Sequence, residues 1–201
     1  MSRTADDFSF IPGRLLIDTC ILNLLQDEGE FIFNEGPSEG YDDSQVPPDL
    51  EALYWIVKVN QRASFQFLVS PITFAELANE QQAGPSYSRV MWAMEMLDHW
   101  LTMLEDTADR VRDGGTVRHR FKLTDELQAF EQRLMQIPSF RRDPLDRLLM
   151  LQYKMGNCDA FLTLDRNTIW RYRQQLQQEG ILILTPAEFW ERLKPYAAIW
   201  Y

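Results

Sequence analysis

The sequence predicts an α/β fold in which strands and helices alternate around a mainly parallel sheet. Two short apolar runs, at 14–17 and 160–164, are each followed by an acidic residue. Runs that are short and apolar throughout are typical of parallel strands that helices cover on both faces. Longer segments with helical spacing separate these runs, so we expect a helix-rich, three-layer α/β/α sandwich.

Turn residues and caps divide the first half of the chain. Pro12-Gly13 precedes the first strand, and the acidic segment 29–48 contains six Gly and Pro residues, which is typical of a loop or insertion. Asp49 is expected to cap the next helix. The Met and Trp residues of 87–103 are expected to pack in the core. The predicted elements are a helix at 19–28, the loop at 29–48, a helix at 49–60, a strand at 65–69, a helix from 71 that ends before Gly84, and a helix at 87–103.

The second half contains clear signals for helix ends. Thr124 opens a helix that places Phe130, Leu134 and Ile137 on one face and ends at Pro138. Thr185 and Glu188 have the spacing of a capping box for the final helix. Two glycines at 114–115 are expected to interrupt the secondary structure. The predicted elements after them are a helix at 124–137, a helix from 143, a strand at 160–164, a basic helix at 168–178, a strand at 181–184 and a helix from 185.

Length and composition predict one domain over residues 1–201, with 29–48 as an insertion and 191–201 as an aromatic C-terminal tail. No window approaches the ~20 apolar residues of a membrane span, so no membrane partner is expected. The first ten residues resemble neither a secretory signal nor a transit peptide, which favours a cytoplasmic protein. Cys20 and Cys158 would lie at opposite sheet edges, which disfavours a disulfide.

The net charge of −10 argues against a general electrostatic attraction for nucleic acid. The basic residues are nevertheless clustered, and each cluster is equally consistent with an RNA contact or with a solvated face. The candidate RNA-binding residues are Arg141, Arg142, Arg147 and Arg166; further basic clusters lie at 118–122 and 171–173.

Acidic residues follow the predicted strands or lie early in helices. Asp18 and Asp165 follow two strands whose carboxyl ends would meet at one sheet edge, and Glu76 and Asp146 lie near helix starts. Four carboxylates in one pocket would bind Mg²⁺ or Mn²⁺, and such ions can activate water for phosphodiester hydrolysis without a catalytic histidine. Cys and His are too scarce for a zinc site.

Each acid also has a purely structural interpretation. Asp143 before Pro144 suits a helix cap, so we interpret it as structural and assign the metal role to Asp146, although Asp146 also suits a helix N-terminus. Glu76 could belong to a capping box with Thr73, unless Ser70 starts that helix earlier. We favour the ligand interpretation for Glu76, Asp146 and Asp18. Asp159 would lie at the far end of its strand and is excluded from the site.

These motifs together resemble the PIN-domain ribonucleases, over about residues 15–190. The matching segments are Leu16-Ile17-Asp18-Thr19, Val69-Ser70-Pro71-Ile72-Thr73-Phe74-Ala75-Glu76-Leu77, Asp143-Pro144-Leu145-Asp146 and Thr163-Leu164-Asp165-Arg166-Asn167. The resemblance implies a PIN-like sandwich and Mg²⁺- or Mn²⁺-dependent endoribonuclease activity. It assigns catalysis and metal binding to Asp18, Glu76, Asp146 and Asp165, and auxiliary roles to Thr163, Asn167 and Asp143. A turn role for Asn167 is equally consistent with the sequence.

The leading hypothesis is therefore cleavage of single-stranded or structured RNA. Small bacterial PIN nucleases are often toxins that an antitoxin protein neutralises, so an antitoxin is a candidate partner by analogy. The alternative is a non-catalytic PIN-like module that binds protein through the acidic pocket or the C-terminal aromatic residues. Those aromatic residues could form a homodimer edge, although packing on the chain's own core is slightly favoured. A phosphatase with Asp18 as nucleophile ranks last, because Cys20 stands where a second Asp is needed.

Overall fold

A five-stranded, all-parallel sheet forms the centre of the protein, which confirms the α/β class. The computed structural model describes residues 11–38, 40–41, 45–63, 65–80, 87–104, 108–113, 116–121 and 123–197. A separate antiparallel pair is formed by β4 and β5. The strands are β1 (Arg14–Ile17), β2 (Gln66–Val69), β3 (Leu101–Met103), β4 (Ala108–Asp113), β5 (Thr116–Phe121), β6 (Ala160–Leu162) and β7 (Ile183–Leu184). The order in the large sheet is β3-β2-β1-β6-β7.

Helices connect and cover the strands. They are α1 (Thr19–Asp27), α2 (Gly29–Asn34), α3 (Pro48–Asn60), α4 (Pro71–Glu80), α5 (Tyr87–His99), α6 (Asp125–Leu134), α7 (Pro138–Arg142), α8 (Pro144–Met155), α9 (Arg173–Gln178) and α10 (Pro186–Ala197), with a 3₁₀ turn at Trp170–Tyr172 before α9. Within the described ranges, no helix is long and apolar enough to cross a bilayer.

The sheet has a separate hydrophobic core on each face. Leu15 and Ile17 of β1 belong to one core, and Leu16 between them belongs to the other, as the two-residue repeat of a strand requires. The first core includes buried residues of α1, α3 and α10, and the second includes those of α6, α7 and α8. Both faces are therefore covered by helices, consistent with a three-layer α/β/α sandwich.

The capping signals predicted at Thr124 and Thr185 are confirmed. Thr124 accepts a hydrogen bond from the amide of Leu127 at the start of α6. At α10, the Glu188 amide donates to Thr185 Oγ1 at 3.2 Å, and the Thr185 amide donates to Glu188 Oε2 at 3.0 Å. These two bonds form a reciprocal capping box, so two amides at the start of α10 have partners.

Replacing the α10 cap, Thr185→Ala, is expected to lower the free energy of unfolding by about 1 kcal/mol, because it leaves the Glu188 amide without its acceptor. Urea denaturation monitored by circular dichroism measures the change. Thr185→Ser retains the hydroxyl and serves as the control. Equal losses in both variants would assign the effect to the methyl group of the threonine rather than to the cap.

Two predictions for the segment before α3 are wrong. The interval 29–48 is not entirely loop, because α2 occupies its start and buries Ile32 against the first core. Asp49 does not cap α3, since Pro47 occupies the N-cap position. The Asp49 carboxylate instead accepts from the Ala187 amide at 3.0 Å and faces Arg166 at 3.4 Å. It therefore links the start of α3 to the start of α10.

Several predicted boundaries also differ. The helix at 87–103 ends at His99, and β3 follows it because these residues pair with β2. Met94, expected in the core, is 52% exposed. The helix predicted at 124–137 ends at Leu134, and Pro138 does not end it but begins α7. The strands predicted at 160–164 and 181–184 are shorter and correspond to β6 and β7. The basic helix predicted at 168–178 divides into a 3₁₀ turn and α9. The two glycines at 114–115, predicted to interrupt the secondary structure, lie in sequence between β4 and β5.

The interval 191–201 is helical as far as Ala197, so most of it is not a tail. Trp190 stacks on Trp55, with ring centroids 6.1 Å apart, which agrees with packing on the chain's own core. Tyr196 is 48% exposed. Trp200 and Tyr201 lie outside the described residues.

Candidate functional site

The carboxyl ends of β1, β2 and β6 meet at one edge of the sheet. Ile17 pairs with Leu162, and Leu16 pairs with Leu68, in parallel register. Asp18 follows β1, and Asp165 lies three residues beyond the end of β6. The prediction that strand ends would deliver these acids to the same edge is confirmed for Asp18 and Asp165. Cys158 precedes β6 at the other edge, and both cysteines are free thiols, as predicted.

Asp18 is the most buried of the candidate acids, with 8% of its surface exposed. Its Oδ2 accepts a hydrogen bond from Thr163 Oγ1 at 2.5 Å and one from Cys20 Sγ at 3.2 Å, and its Oδ1 accepts from the Thr19 amide at 2.8 Å. Burial raises the pKa of Asp18, although these bonds oppose the shift. Thr163 therefore holds a candidate ligand in place.

Glu76 lies in α4 beyond the first turn. Ser70 Oγ accepts from the Ile72 amide at 2.9 Å and so caps α4 from its N-terminus, which excludes Glu76 from that role. The Glu76 carboxylate instead accepts from Thr19 Oγ1 at 2.6 Å. Because Thr19 directly follows Asp18, this bond joins α4 to the end of β1.

Asp146 is surrounded by other carboxylates. Its pKa is raised from 3.8 to about 7, first by burial and then by the negative charges of Asp143, Asp18, Asp165 and Glu76, in that order. Repulsion of this kind falls with distance, so these acids face a common region. Asp146 therefore lies within electrostatic range of the other three predicted acids.

The auxiliary residues have clear structural roles. Asp143 caps α8 by accepting from the amides of Leu145 at 2.9 Å and Asp146 at 3.3 Å, as predicted. Asp165 Oδ1 accepts from the Asn167 amide at 2.9 Å. Asn167 therefore has the turn role that the sequence had left as an equal alternative.

The donors at this edge fit a hard divalent ion better than a soft one, because they are carboxylate and hydroxyl oxygens. Thr73 Oγ1, one turn before Glu76, is buried and has no hydrogen-bond partner among the described residues. Among all the described residues, however, no three acidic, histidine or cysteine side chains lie close enough together to hold a metal ion in their present positions. Metal binding would therefore require the carboxylates to rotate towards one another.

The predicted RNA-binding arginines differ in their surroundings. Arg147 is engaged within the protein, with Nε 3.2 Å from Glu131 Oε1 and Nη1 donating to the Phe140 carbonyl at 2.8 Å. Arg166 lies over the Trp170 ring at 5.3 Å. Arg141 and Arg142 are exposed at the end of α7. Exposure leaves these last two more available to a ligand than Arg147.

Sequence reasoning missed two residues that shape the site. Thr19 orients Glu76, and the Cys20 thiol lies between Asp18 and the Leu164 amide, which donates to Sγ at 3.2 Å. Burial and the charge of Asp18 raise the pKa of Cys20 to about 12, so the thiol stays protonated and can donate to Asp18. Their position directly after a strand-end acid was the signal that could have identified them.

The fold and this site define an α/β protein with interacting carboxylates at the carboxyl edge of a parallel sheet. No family model matches the chain, and no curated protein matches it in sequence. The function must therefore be argued from the residues and their arrangement.

Proposed function

We propose that the protein is a metal-dependent endoribonuclease of the PIN type. The observation that carries the proposal is the placement of four acids on the end of β1, α4, α8 and the segment after β6 within electrostatic range of Asp146, whose pKa is raised first by burial and then by the charges of Asp143, Asp18, Asp165 and Glu76. Acids that repel one another in a half-buried pocket favour a bound cation, which would neutralise them.

Asp18, Glu76, Asp146 and Asp165 would hold Mg²⁺ or Mn²⁺. A bound ion of this kind lowers the pKa of water and stabilises the charge that develops on phosphate oxygens. Thr163 and Cys20 orient Asp18, and Thr19 orients Glu76, through the hydrogen bonds described above. Within the described part of the chain, Arg141 and Arg142 lack the contacts that occupy Arg147, and both are exposed, so they could approach phosphates.

The choice of RNA as substrate depends on the PIN resemblance. Support comes from the parallel sheet and from the order of the acids, which are carried in turn by the end of β1, α4, α8 and the end of β6. The net charge of −10 suits a basic partner segment, so an antitoxin stays a prediction of the same resemblance.

Cleavage of labelled single-stranded RNA in Mg²⁺, in Mn²⁺ and in chelator tests the proposal. We expect cutting that requires metal and is lost in chelator, together with calorimetric binding of Mn²⁺. Affinity for Mn²⁺ should fall about tenfold for each pH unit below about 7, because protonated Asp146 cannot bind metal. RNA that stays intact in both metals, with no heat of metal binding, would contradict the proposal.

The second candidate is a non-catalytic protein-binding module. It is favoured by the separation of the acids, because among the described residues no three ligands are grouped for an ion. Under this alternative the pocket would bind a basic side chain of a partner, and the protein would bind neither Mn²⁺ nor Mg²⁺. The calorimetric measurement above distinguishes the two.

A further inference from the structure

The arginines on the two segments that flank the candidate site fall into two groups. The first segment is α7 with the start of α8, and the second is the 3₁₀ turn with the start of α9, which follow Asp165. An arginine that already faces a carboxylate has less attraction for a further anion, because the carboxylate offsets its charge. Three of the arginines are paired in this way: Arg147 with Glu131 at 3.2 Å, Arg166 with Asp49 at 3.4 Å, and Arg173 with Glu188 at 2.6 Å.

The other three arginines, Arg141, Arg142 and Arg171, are exposed. Within the ranges that the structure describes, none of the three forms an ion pair. The Arg171 guanidinium lies over the Tyr172 ring, with Cζ 5.9 Å from the ring centroid. A contact with an aromatic ring orients a guanidinium without neutralising its charge. The three side chains therefore present positive charge to solvent, in a chain whose net charge is −10.

These three arginines belong to one region of the surface, because α7 packs against the turn that follows Asp165. The ring centroids of Phe140 and Tyr172 are 6.5 Å apart. Phe140 directly precedes the first two arginines, and Tyr172 directly follows the third. Phe140 is buried in the second core, and Tyr172 packs against that core. We call Arg141, Arg142 and Arg171 together the arginine surface.

The arginine surface adjoins the acids on both segments. Arg142 directly precedes Asp143, whose carboxylate accepts from the Asp146 amide at 3.3 Å. On the other segment, the Asp165 carbonyl accepts at 3.1 Å from the amide of the residue that precedes Arg171. Unpaired positive charge thus lies next to the carboxylates. An RNA strand would be attracted here, although the acids themselves repel phosphate until a cation neutralises them.

We propose that the arginine surface binds the phosphate backbone of the RNA substrate and holds the strand beside the carboxylates. This inference rests on the proposed nuclease function, because it identifies the substrate-binding surface of the same site. It adds Arg171 to the candidate residues and separates Arg141 and Arg142 from the paired Arg147 and Arg166. Charge complementarity identifies the ligand as a polyanion, and guanidinium groups suit phosphate because each can donate two parallel hydrogen bonds.

The test compares two double variants that remove equal charge, Arg142→Gln with Arg171→Gln and, as the control, Arg133→Gln with Lys194→Gln. Arg133 and Lys194 are also exposed, but they lie on α6 and α10 and face Glu179 at 2.9 Å and Glu191 at 3.4 Å. Both pairs are made in the full-length Asp146→Asn protein, so that RNA is not consumed, and circular dichroism verifies folding. Fluorescence anisotropy measures binding of labelled oligouridine between roughly 50 and 200 mM salt.

The first pair should weaken binding at least about tenfold and make the slope of log K against log salt less steep by about 1.4, because roughly 0.7 is lost for each phosphate contact. The control pair should change affinity by less than about threefold, since an acid offsets each charge. Lysine at positions 142 and 171 should restore binding to within about threefold, because it restores the charge.

Equal losses for the two glutamine pairs, or no loss for either, would overturn the proposal. So would the absence of oligouridine binding by the Asp146→Asn protein itself. Failure of the Arg142→Lys, Arg171→Lys variant to restore binding would also overturn it, because the loss would then come from altered packing on Tyr172 rather than from lost charge.

The two proposals can fail separately, and a cleavage assay of the same double variants with Asp146 intact distinguishes them. RNA binding that depends on the arginine surface, without cleavage by the protein that retains Asp146, would contradict the nuclease and leave the RNA-binding surface in place. Metal-dependent cleavage that the Arg142→Gln, Arg171→Gln variant retains in full would do the reverse.

Discussion

Asp146→Asn is expected to reduce RNA cleavage at least about a hundredfold, because loss of residues that merely orient metal ligands already costs 10- to 100-fold. The same change should stabilise the metal-free protein at pH 8. Asparagine keeps the shape of the side chain and removes a charge that four other carboxylates repel. An opposite effect on activity and on stability is the signature of an acid retained for function.

The sign of the stability effect follows from the pKa. For Asp146 the pKa is raised from 3.8 to about 7 in the folded protein. A group with a raised folded-state pKa stabilises the fold while it is protonated, so its contribution is fully present below about pH 4 and is lost as the pH rises through about 7. The asparagine variant cannot lose that contribution. The two proteins should therefore differ little at pH 4 and most at pH 8.

Thermal unfolding in chelator at the two pH values measures this difference. The variant should melt higher at pH 8, by roughly 2–4 °C for each kcal/mol of repulsion removed. Added Mn²⁺ should raise the Tm of the wild type and leave that of the variant nearly unchanged. A lower Tm for the variant at pH 8 would indicate that the Asp146 carboxylate stabilises the fold, and a metal-binding role would then lose its main support.

Asp159→Asn is the matched control for this experiment. Asp159 precedes β6 at the opposite sheet edge, where its Oδ2 accepts from the amides of Gly13 at 3.1 Å and Arg14 at 3.0 Å. The change removes the same charge as Asp146→Asn, but at the sheet edge opposite the candidate site. Cleavage should therefore stay within about threefold of the wild type. A hundredfold loss here would mean that activity responds to net charge or to folding rather than to the pocket.

Phe161→Ala is expected to lower the free energy of unfolding by about 3–5 kcal/mol. Phe161 lies at the centre of β6 and is fully buried in the second core, which also contains buried residues of α8. Removing the ring leaves a cavity that side chains of the neighbouring strands β1 and β7 cannot fill, because the sheet register fixes their positions. That loss is a large fraction of the stability of an ordinary domain.

Urea denaturation should show a lower midpoint with an unchanged slope, which indicates that the same surface is exposed on unfolding. Met94→Ala removes a large apolar side chain that is 52% exposed, and it should change stability by no more than about 0.5 kcal/mol. A loss below about 1 kcal/mol for Phe161→Ala would contradict the full burial of Phe161 in the second core.

Much of the fold could be predicted from local signals. The strands at β1, β2 and β6 are short runs of apolar residues, and they alternate between the two cores. Caps at Thr124, Asp143 and Thr185 were recognisable because a capping residue acts within three or four positions along the chain. Signals of this range do not depend on the rest of the structure.

Predictions failed where a distant segment decided the outcome. Leu101–Met103 continues the apolar pattern of α5, and only its pairing with Phe67–Val69 makes it a strand. Asp49 is a residue type that often caps helices, but its carboxylate accepts from the Ala187 amide at the start of α10 instead of capping α3. The β4 and β5 strands were also not predicted, although here no distant segment decided the outcome. Two glycines between two short runs are a local signal for a hairpin.

The sequence by itself determined which acids could form a site and that two of them follow parallel strands, since strand ends and helix starts are local features. Only the tertiary structure decided how these acids are held. The contacts of Asp18 with Thr163 and of Thr19 with Glu76 join residues 145 and 57 positions apart. The raised pKa of Asp146 likewise arises from burial and from charges on other segments. Electrostatic repulsion and hydrogen bonds depend on distance in space, which the spacing of residues along the chain does not specify.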